Sequence, residues 1–184
     1  MAKALDTCIL VHAVSAPPPE SDGELARKRR DCKALIMQQQ ELCIPGIVVV
    51  EFLPFLRPAE EPAARELLEK IDVLPFGADA ALLAADLVAD ARKSGSVCDR
   101  CLNPLNSRAC KGCNRNNSRG NCLQDYFVAA SAAVAPHVDT LFTYDIREHL
   151  VVALKGRLNI VRPEDTRGPL FAYVDEVEEE GRSR

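Results

Sequence analysis

Four acidic residues lie in or beside apolar segments that are far apart along the chain: Asp6, Glu51, Asp125 and Asp145. A carboxylate in apolar surroundings is costly unless it is paired, hydrogen-bonded or bound to a metal ion. Carboxylates that meet in one pocket repel one another, which raises a pKa or recruits a cation. Mg²⁺ and Mn²⁺ suit such a pocket because they prefer oxygen ligands. An ion of this kind activates water and stabilises a phosphoryl-transfer transition state, so the four acids indicate metal-dependent phosphoryl chemistry.

The acids differ in how readily a purely structural role explains them. Asp125 opens an Ala-rich helix predicted over residues 126–134, where the helix dipole favours a carboxylate. A helix cap is therefore the simpler interpretation of Asp125 alone. Asp145 follows an apolar strand predicted over residues 140–143, and ligands of open α/β sheets bind beyond the carboxyl ends of strands. Glu51 lies within V-V-V-E-F-L and requires a compensating cation if it is buried.

Other catalytic motifs are absent from the sequence. There is no P-loop, no G-x-S-x-G motif and no H-E-x-x-H motif. The three histidines are not paired with a nucleophile, and we interpret them as ordinary surface or core residues. A phosphoacceptor receiver domain also has acids at strand ends. It needs an Asp after the third strand and a Lys at the last one, and the segment D-V-L-P-F-G-A supplies neither.

Two cysteine pairs, Cys98-x2-Cys101 and Cys110-x2-Cys113, lie eight residues apart. Four thiolates at this spacing predict a closed tetrahedral Zn²⁺ site, and Cys122 is a spare that could replace one ligand. A redox pair is the alternative. Two pairs flanked by glycine, asparagine and arginine argue against it.

The segment that carries these cysteines is basic, with seven cationic residues against Asp99 over residues 92–121. In one interpretation the zinc is only a staple that lets the loop fold. In the other, the loop also contacts the phosphate backbone of a nucleic acid beside the acidic pocket. The loop has no aromatic residue for stacking on bases, which argues against sequence readout there. The cations proposed to contact phosphate are Arg108, Lys111, Arg115 and Arg119, and the others are Arg92, Lys93 and Arg100.

Strand-like and helical segments alternate along the chain, which indicates a parallel sheet with helices on both faces. A continuous apolar run over residues 4–11 predicts the first strand, with Asp6 inside it. Pro54 is expected to end or kink the second helix. Further strands are predicted over residues 42–44, 73–76, 140–143 and 158–161, and helices over residues 24–41, 47–56, 59–71, 79–93, 126–134 and 147–154.

Length and composition fit one domain with a modest insertion, since the chain has 184 residues of which 47% are hydrophobic. We predict an α/β domain over residues 1–165, the insertion at residues 94–121 and an acidic tail at residues 166–184. The net charge of -4 carries no overall signature of nucleic-acid binding, and no segment is suited to cross a membrane. Eight cysteines without a convincing signal peptide indicate reduced thiols or metal ligands, so we expect a cytoplasmic protein.

Four segments resemble the acidic motifs of the PIN domain, and most closely those of the VapC-type ribonucleases. They are D-T-C-I-L-V, V-V-V-E-F-L, Q-D-Y-F-V-A-A-S-A and L-F-T-Y-D-I-R-E-H-L, and they span most of residues 1–165. The motifs with Asp125 and Asp145 are the most specific. Cys8 departs from the family, which more often has a small polar residue there, and the cysteine-rich insertion departs further.

The resemblance implies a three-layer α/β/α fold with a five-stranded parallel sheet, to which this chain adds a small zinc-binding insertion. It implies that Asp6, Glu51, Asp125 and Asp145 hold Mg²⁺ or Mn²⁺ for endonucleolytic cleavage of RNA. It also implies that Thr7 and Thr143 orient those acids. VapC proteins are toxins that are neutralised by a protein antitoxin and are often homodimers, so both partners are expected here.

Two other functions remain open. The first is an RNA-processing PIN nuclease without an antitoxin. The second is a non-catalytic PIN scaffold that binds RNA or protein through its zinc loop, and the presence of all four acids disfavours it.

Overall fold

The computed structural model describes residues 1–16, 22–38, 41–98, 102 and 123–166. Most of the predicted zinc-binding insertion and nearly all of the predicted acidic tail lie outside these residues.

Five parallel strands form one sheet in the described part of the chain, as the sequence predicted. The strands are β1 (Ala2–Leu5), β2 (Leu42–Pro45), β3 (Asp72–Leu74), β4 (Val138–Phe142) and β5 (Asn159–Val161). Their order across the sheet is β3-β2-β1-β4-β5. The central strand β1 therefore pairs with β2 on one side and with β4 on the other.

Helices connect the strands, and two short 3-10 turns accompany them. The helices are α1 (Thr7–Val14), α2 (Gly23–Gln38), α3 (Gly46–Phe52), α4 (Glu61–Leu68), α5 (Ala78–Lys93), α6 (Leu123–Val134) and α7 (Glu148–Ala153), and the 3-10 turns are Leu53–Phe55 and Pro163–Thr166. None of the helices in the described residues is both long and apolar enough to span a lipid bilayer.

The predicted first strand over residues 4–11 is wrong beyond Leu5. Strand β1 ends at Leu5, and α1 begins at Thr7. Asp6 lies between them with extended backbone, and its carboxylate accepts the Thr7 N–H, so it is the N-cap of α1. Ile9 and Leu10 are fully buried in the helix, which explains why an apolar run could be mistaken for a longer strand.

Helix α6 begins at Leu123 rather than at residue 126. Asp125 therefore lies within the first turn of the helix, and its interpretation as the cap is wrong. Helix α3 ends at Phe52, and Pro54 lies in the following 3-10 turn. This agrees with the expectation that a residue without a backbone N–H ends the helix.

The strand order reverses beside β1, and this reversal determines where a site can form. The chain runs outward from β1 to β2 and β3, crosses to β4 on the other side of β1, and continues to β5. Because parallel crossovers are right-handed, the two halves place their helices on opposite faces of the sheet. Helix α1 accordingly packs against α2, α3 and α4, whereas α5 packs against α6 and α7. The loops after β1 and β4 diverge and leave a crevice between them.

Helix α6 supports one wall of this crevice. It packs closely against α5 and also contacts β4 and β2. Small side chains make the close approach feasible, because they leave little volume between the two backbones. The buried alanines of α6 include Ala129, Ala130 and Ala132, and those of α5 are Ala80, Ala84 and Ala91. The first turn of α6, which carries Asp125, thus belongs to a helix that is packed against α5 and the sheet.

Candidate active site

Three of the four predicted acids line one narrow pocket at the carboxyl end of the sheet: Asp6, Asp125 and Asp145. Asp6 directly follows β1, and its N–H donates to the Phe142 carbonyl at the end of β4 at 3.0 Å. Asp145 follows β4, and Asp125 projects from the first turn of α6. The pocket is thus built at the strand-order reversal, where β1 and β4 separate.

Asp6 is held by three donors. One carboxylate oxygen accepts the Thr7 N–H at 2.7 Å. The other accepts the Thr143 hydroxyl at 2.6 Å and the Cys8 thiol at 3.2 Å. Thr143 in turn accepts the N–H of Asp145 at 3.0 Å, so one hydroxyl joins the two acids. These contacts fix the orientation of Asp6 before any ligand arrives.

Glu51 belongs to this network but does not line the pocket among its described residues. Its Oε2 accepts the Thr7 hydroxyl at 2.6 Å, and the N–H of Thr7 is bonded to Asp6. Burial raises the pKa of Glu51, the Thr7 hydrogen bond lowers it, and the charge of Asp6 raises it further. The sequence suggested a compensating cation for Glu51. The structure provides a hydroxyl donor instead.

Asp125 has the most perturbed carboxyl of the pocket. Burial is the main reason that the pKa of Asp125 is raised to about 7, and the charges of Asp145 and Asp6 contribute to the increase. Arg147 opposes this shift, and burial is the larger effect. Asp125 therefore exchanges a proton near neutral pH more readily than an ordinary aspartate, which is a common property of functional acids.

Arg147 is the participant that sequence analysis missed. Its Nη2 lies 2.8 Å from Asp125 Oδ2 and 2.9 Å from Asp145 Oδ2, and its Nε donates to Asp125 Oδ2 at 3.0 Å. One guanidinium thus bridges two of the acids. A basic residue two positions after Asp145 was the available signal, but its second partner lies 22 residues earlier in the chain.

Cys8 is a structural thiol and not a nucleophile. Its sulfur donates to Asp6 and accepts the N–H of Tyr144 at 3.3 Å. Burial, followed by the charge of Asp6, raises the pKa of Cys8 far above that of an ordinary thiol. The group stays protonated, which suits a hydrogen-bond donor to a carboxylate and excludes thiolate chemistry at neutral pH.

A wider cleft of about 770 Å³ opens beside the pocket, between the end of α5 and α7. The two spaces share Asp145, Arg147 and Leu150. A substrate lying in the cleft would therefore have direct access to the acids.

The donor chemistry of the pocket fits a hard divalent cation, because its ligand candidates are carboxylate and hydroxyl oxygens. Within the described residues, however, no three histidine, cysteine, aspartate or glutamate side chains are close enough together to hold one ion. Arg147 lies between Asp125 and Asp145 instead. A metal ion at this position would require the guanidinium or the carboxylates to move.

The predicted zinc ligands can be placed only in part. Cys98 is 9% exposed and follows α5 closely. Its carbonyl accepts the N–H of Leu102 at 2.9 Å, and Leu102 has a left-handed φ of 58°. The other residues predicted for this segment lie outside the described residues: Cys101, Cys110 and Cys113 as zinc ligands, and Arg108, Lys111, Arg115 and Arg119 as phosphate contacts.

Comparison with solved structures shows which folds are similar. A chain of VapBC2 from Rickettsia felis, solved with a DNA fragment from its promoter, has a TM-score of 0.52 and 17% identity, covering 88% of this chain and 98% of that one. A toxin-antitoxin complex from Klebsiella pneumoniae gives 0.51 and 18%, with 88% and 97% coverage. DNA-bound VapBC from Salmonella typhimurium gives 0.51 and 14%, with 89% and 98% coverage. At these identities the likeness concerns the fold.

No curated protein matches the chain significantly. A family model for the PIN domain matches residues 3–103, which are more than half of the chain and include Asp6 and Glu51. This match agrees with the parallel sheet and with the acids gathered at its carboxyl edge. The chain belongs to the PIN domain family.

Proposed function

We propose that this PIN domain is a Mg²⁺- or Mn²⁺-dependent endoribonuclease whose catalytic acids are Asp6, Asp125 and Asp145, supported by Glu51. The observation that carries the proposal is the convergence of three acids from distant segments on one pocket at the strand-order reversal. Structural acids seldom need such an arrangement, because each could be paired separately at the surface.

The residues of the pocket have separable roles in this mechanism. A bound divalent ion supplies a Lewis acid that activates water and offsets charge on the scissile phosphate. Asp6, Asp125 and Asp145 provide oxygen ligands for that ion. Thr143 and Cys8 orient Asp6, and Thr7 orients Glu51 through its hydroxyl and Asp6 through its N–H.

A toxin of a toxin–antitoxin pair is the biological setting that we propose. The four motifs of this chain resemble those of VapC ribonucleases, and its fold is similar to chains of VapBC and toxin–antitoxin complexes. A protein antitoxin and a second copy of the chain are therefore the partners to look for. An RNA-processing nuclease has the same chemistry without the antitoxin.

We further propose that Cys98, Cys101, Cys110 and Cys113 hold one structural Zn²⁺. The spacing of the four cysteines in the sequence supports this, because two Cys-x2-Cys pairs supply four thiolates to one tetrahedral ion. Purified protein should contain about one equivalent of zinc, and Cys110→Ser should lose it. Less than about half an equivalent in the wild-type protein contradicts the assignment.

The nuclease is tested with the purified full-length chain and total cellular RNA, with Mn²⁺ or with EDTA. We expect Mn²⁺-dependent cleavage, and a loss on the order of a hundredfold in Asp125→Asn. Asp139→Asn is a suitable control, because Asp139 lies away from the pocket and forms an ion pair with Lys3 at 2.6 Å. Cleavage that survives EDTA or Asp125→Asn contradicts the proposal. RNA binding without cleavage by the wild-type chain supports the scaffold.

A further inference from the structure

We propose that Arg147 is an internal counter-ion that holds Asp125 and Asp145 together in the metal-free protein and is displaced from them when a divalent cation binds. The inference rests on the proposed metal-dependent function and concerns how the site is prepared for its metal. It assigns Arg147 a positioning role that exchanges between two states.

The contacts of Arg147 are the first observation that supports the exchange. Two of its nitrogens converge on a single oxygen, Asp125 Oδ2, at 2.8 and 3.0 Å, and one of them also lies 2.9 Å from Asp145 Oδ2. These are charge-assisted hydrogen bonds of ordinary strong geometry. An ion held by both aspartates competes for the same oxygens. Guanidinium and metal therefore compete for one position.

The charge balance of the acid pocket is the second observation that supports the exchange. The described residues that line the pocket include three carboxylates and a single guanidinium, that of Arg147. Without Arg147 the three carboxylates, which line one narrow pocket, would repel one another at close range. With Arg147 in place the acids stay gathered. A divalent cation offsets more charge than the guanidinium, so it is able to replace it.

The backbone of Arg147 is the third observation, because it shows that the guanidinium can leave the aspartates without refolding of the main chain. Arg147 is the N-cap residue of α7, and its carbonyl accepts the N–H groups of Leu150 at 2.9 Å and Val151 at 3.1 Å. These bonds anchor the main chain. The side chain, which is 17% exposed, can turn about its own torsions while the helix stays in place.

The neighbouring cleft shows where the side chain can go. Arg147 lines both the acid pocket and the wider cleft beside it. A guanidinium that leaves the aspartates toward the cleft remains close to the metal. Its planar fork matches phosphate oxygens, so it can contact the RNA backbone there. The same residue then serves the acids in one state and the substrate in the other.

The first experiment measures Mn²⁺ affinity by electron paramagnetic resonance on the full-length chain. Displacement predicts that Arg147→Ala binds Mn²⁺ more tightly, on the order of tenfold, because the competitor is gone. Arg65→Ala, which removes a cation paired with Glu61 on the exposed surface of α4, should match the wild type. Asp145→Asn measures any Mn²⁺ bound elsewhere. Equal or weaker binding by Arg147→Ala overturns the proposal, since a group that only positions the acids would be needed for tight binding.

The second experiment follows the Arg147 side chain directly. Its Nε–H signal in an NMR spectrum, identified by its loss in Arg147→Lys, should move when Mg²⁺ saturates the protein. A signal that stays at its metal-free position at saturation overturns the exchange and leaves the nuclease proposal intact. If neither the wild type nor Arg147→Ala binds Mn²⁺, and RNA is not cleaved, the metal-dependent function itself is wrong and the exchange falls with it.

Discussion

The hydroxyl of Thr143 donates to the carboxylate of Asp6 at 2.6 Å, although 137 residues separate them in the chain. The same oxygen accepts the N–H of Asp145. Thr143 is only 4% exposed, so water cannot easily replace either bond. A single buried side chain therefore fixes the acid that follows β1 relative to the acid that follows β4.

Replacing Thr143 with valine should damage both stability and activity. The change keeps the shape of the side chain but leaves Asp6 short of one donor, at a cost of about 1–3 kcal/mol in the free energy of unfolding. Urea denaturation measures this loss. Thr140→Val is the matched control, because Thr140 is buried on β4, just before Thr143, and bonds to Lys3 and Asp139 instead. It should lose comparable stability but keep its cleavage rate, and equal inactivation of both variants contradicts the assigned role of Thr143.

The contribution of Asp125 to the stability of the metal-free protein should fall as pH rises from about 4 to about 7. The folded state raises the pKa of Asp125 to about 7, so the fold binds this proton more tightly than the unfolded chain does. The contribution is complete below the unfolded pKa of about 4 and is lost as pH passes the folded pKa.

Asp125→Asn tests this directly, because the amide cannot ionise. At pH 8 in EDTA the variant should be more stable than the wild type, by about 1–2 kcal/mol once the pairing with Arg147 is allowed for. Chemical denaturation at pH 4.5 and pH 8 provides the comparison. If the stability of the wild type relative to the variant instead increases with pH, the fold stabilises Asp125 as a carboxylate.

Loss of activity should follow the position of each acid. Asparagine at Asp6, Asp125 or Asp145 removes a group that lines the pocket, whereas Glu51→Gln changes a group that is joined to it through Thr7. We expect cleavage to fall by on the order of a hundredfold for each aspartate. The glutamate variant should lose on the order of tenfold. Initial cleavage rates at saturating Mn²⁺ rank the variants, and a larger loss for Glu51→Gln than for Asp145→Asn would contradict the expected ranking.

The thiols of the folded core should resist alkylation. Burial raises the pKa of Cys8 above the range of ordinary thiols, that of Cys32 to about 12 and that of Cys43 to about 11. At pH 8 none of the three has an appreciable thiolate fraction, which is the reactive form. Peptide mapping by mass spectrometry after iodoacetamide treatment should find them modified only in urea. Rapid labelling of Cys8 in the native protein would show that its pocket opens.

The parallel sheet and the placement of its acids could be predicted because both leave local signals. Strands buried on two faces are predominantly apolar, and Asp145 lies three residues after the end of such a strand. The alternation of these runs with helical segments indicated the topology class. Asp6 and Asp145 then had to lie at the same edge, since parallel strands share their direction.

The end of β1 and the role of Arg147 could not be predicted in the same way. The apolar run over residues 4–11 is strand up to Leu5 and helix from Thr7, and both parts contain buried residues, so hydrophobicity alone could not place the boundary at Leu5. The partners of Arg147 depend on tertiary structure, since Asp125 is reached only after α6 and β4 are docked.

Strand β1 is made first yet lies at the centre of the sheet, between β2 and β4. During synthesis its second edge stays open until residue 142 of 184 has emerged, and an open edge invites pairing with other chains. Two of the three pocket aspartates follow residue 122, so a nascent chain that still lacks α6 and β4 has an incomplete acid pocket. If the pocket cleaves RNA as proposed, the ribosome and its message are not exposed to that activity until β4 has been synthesised.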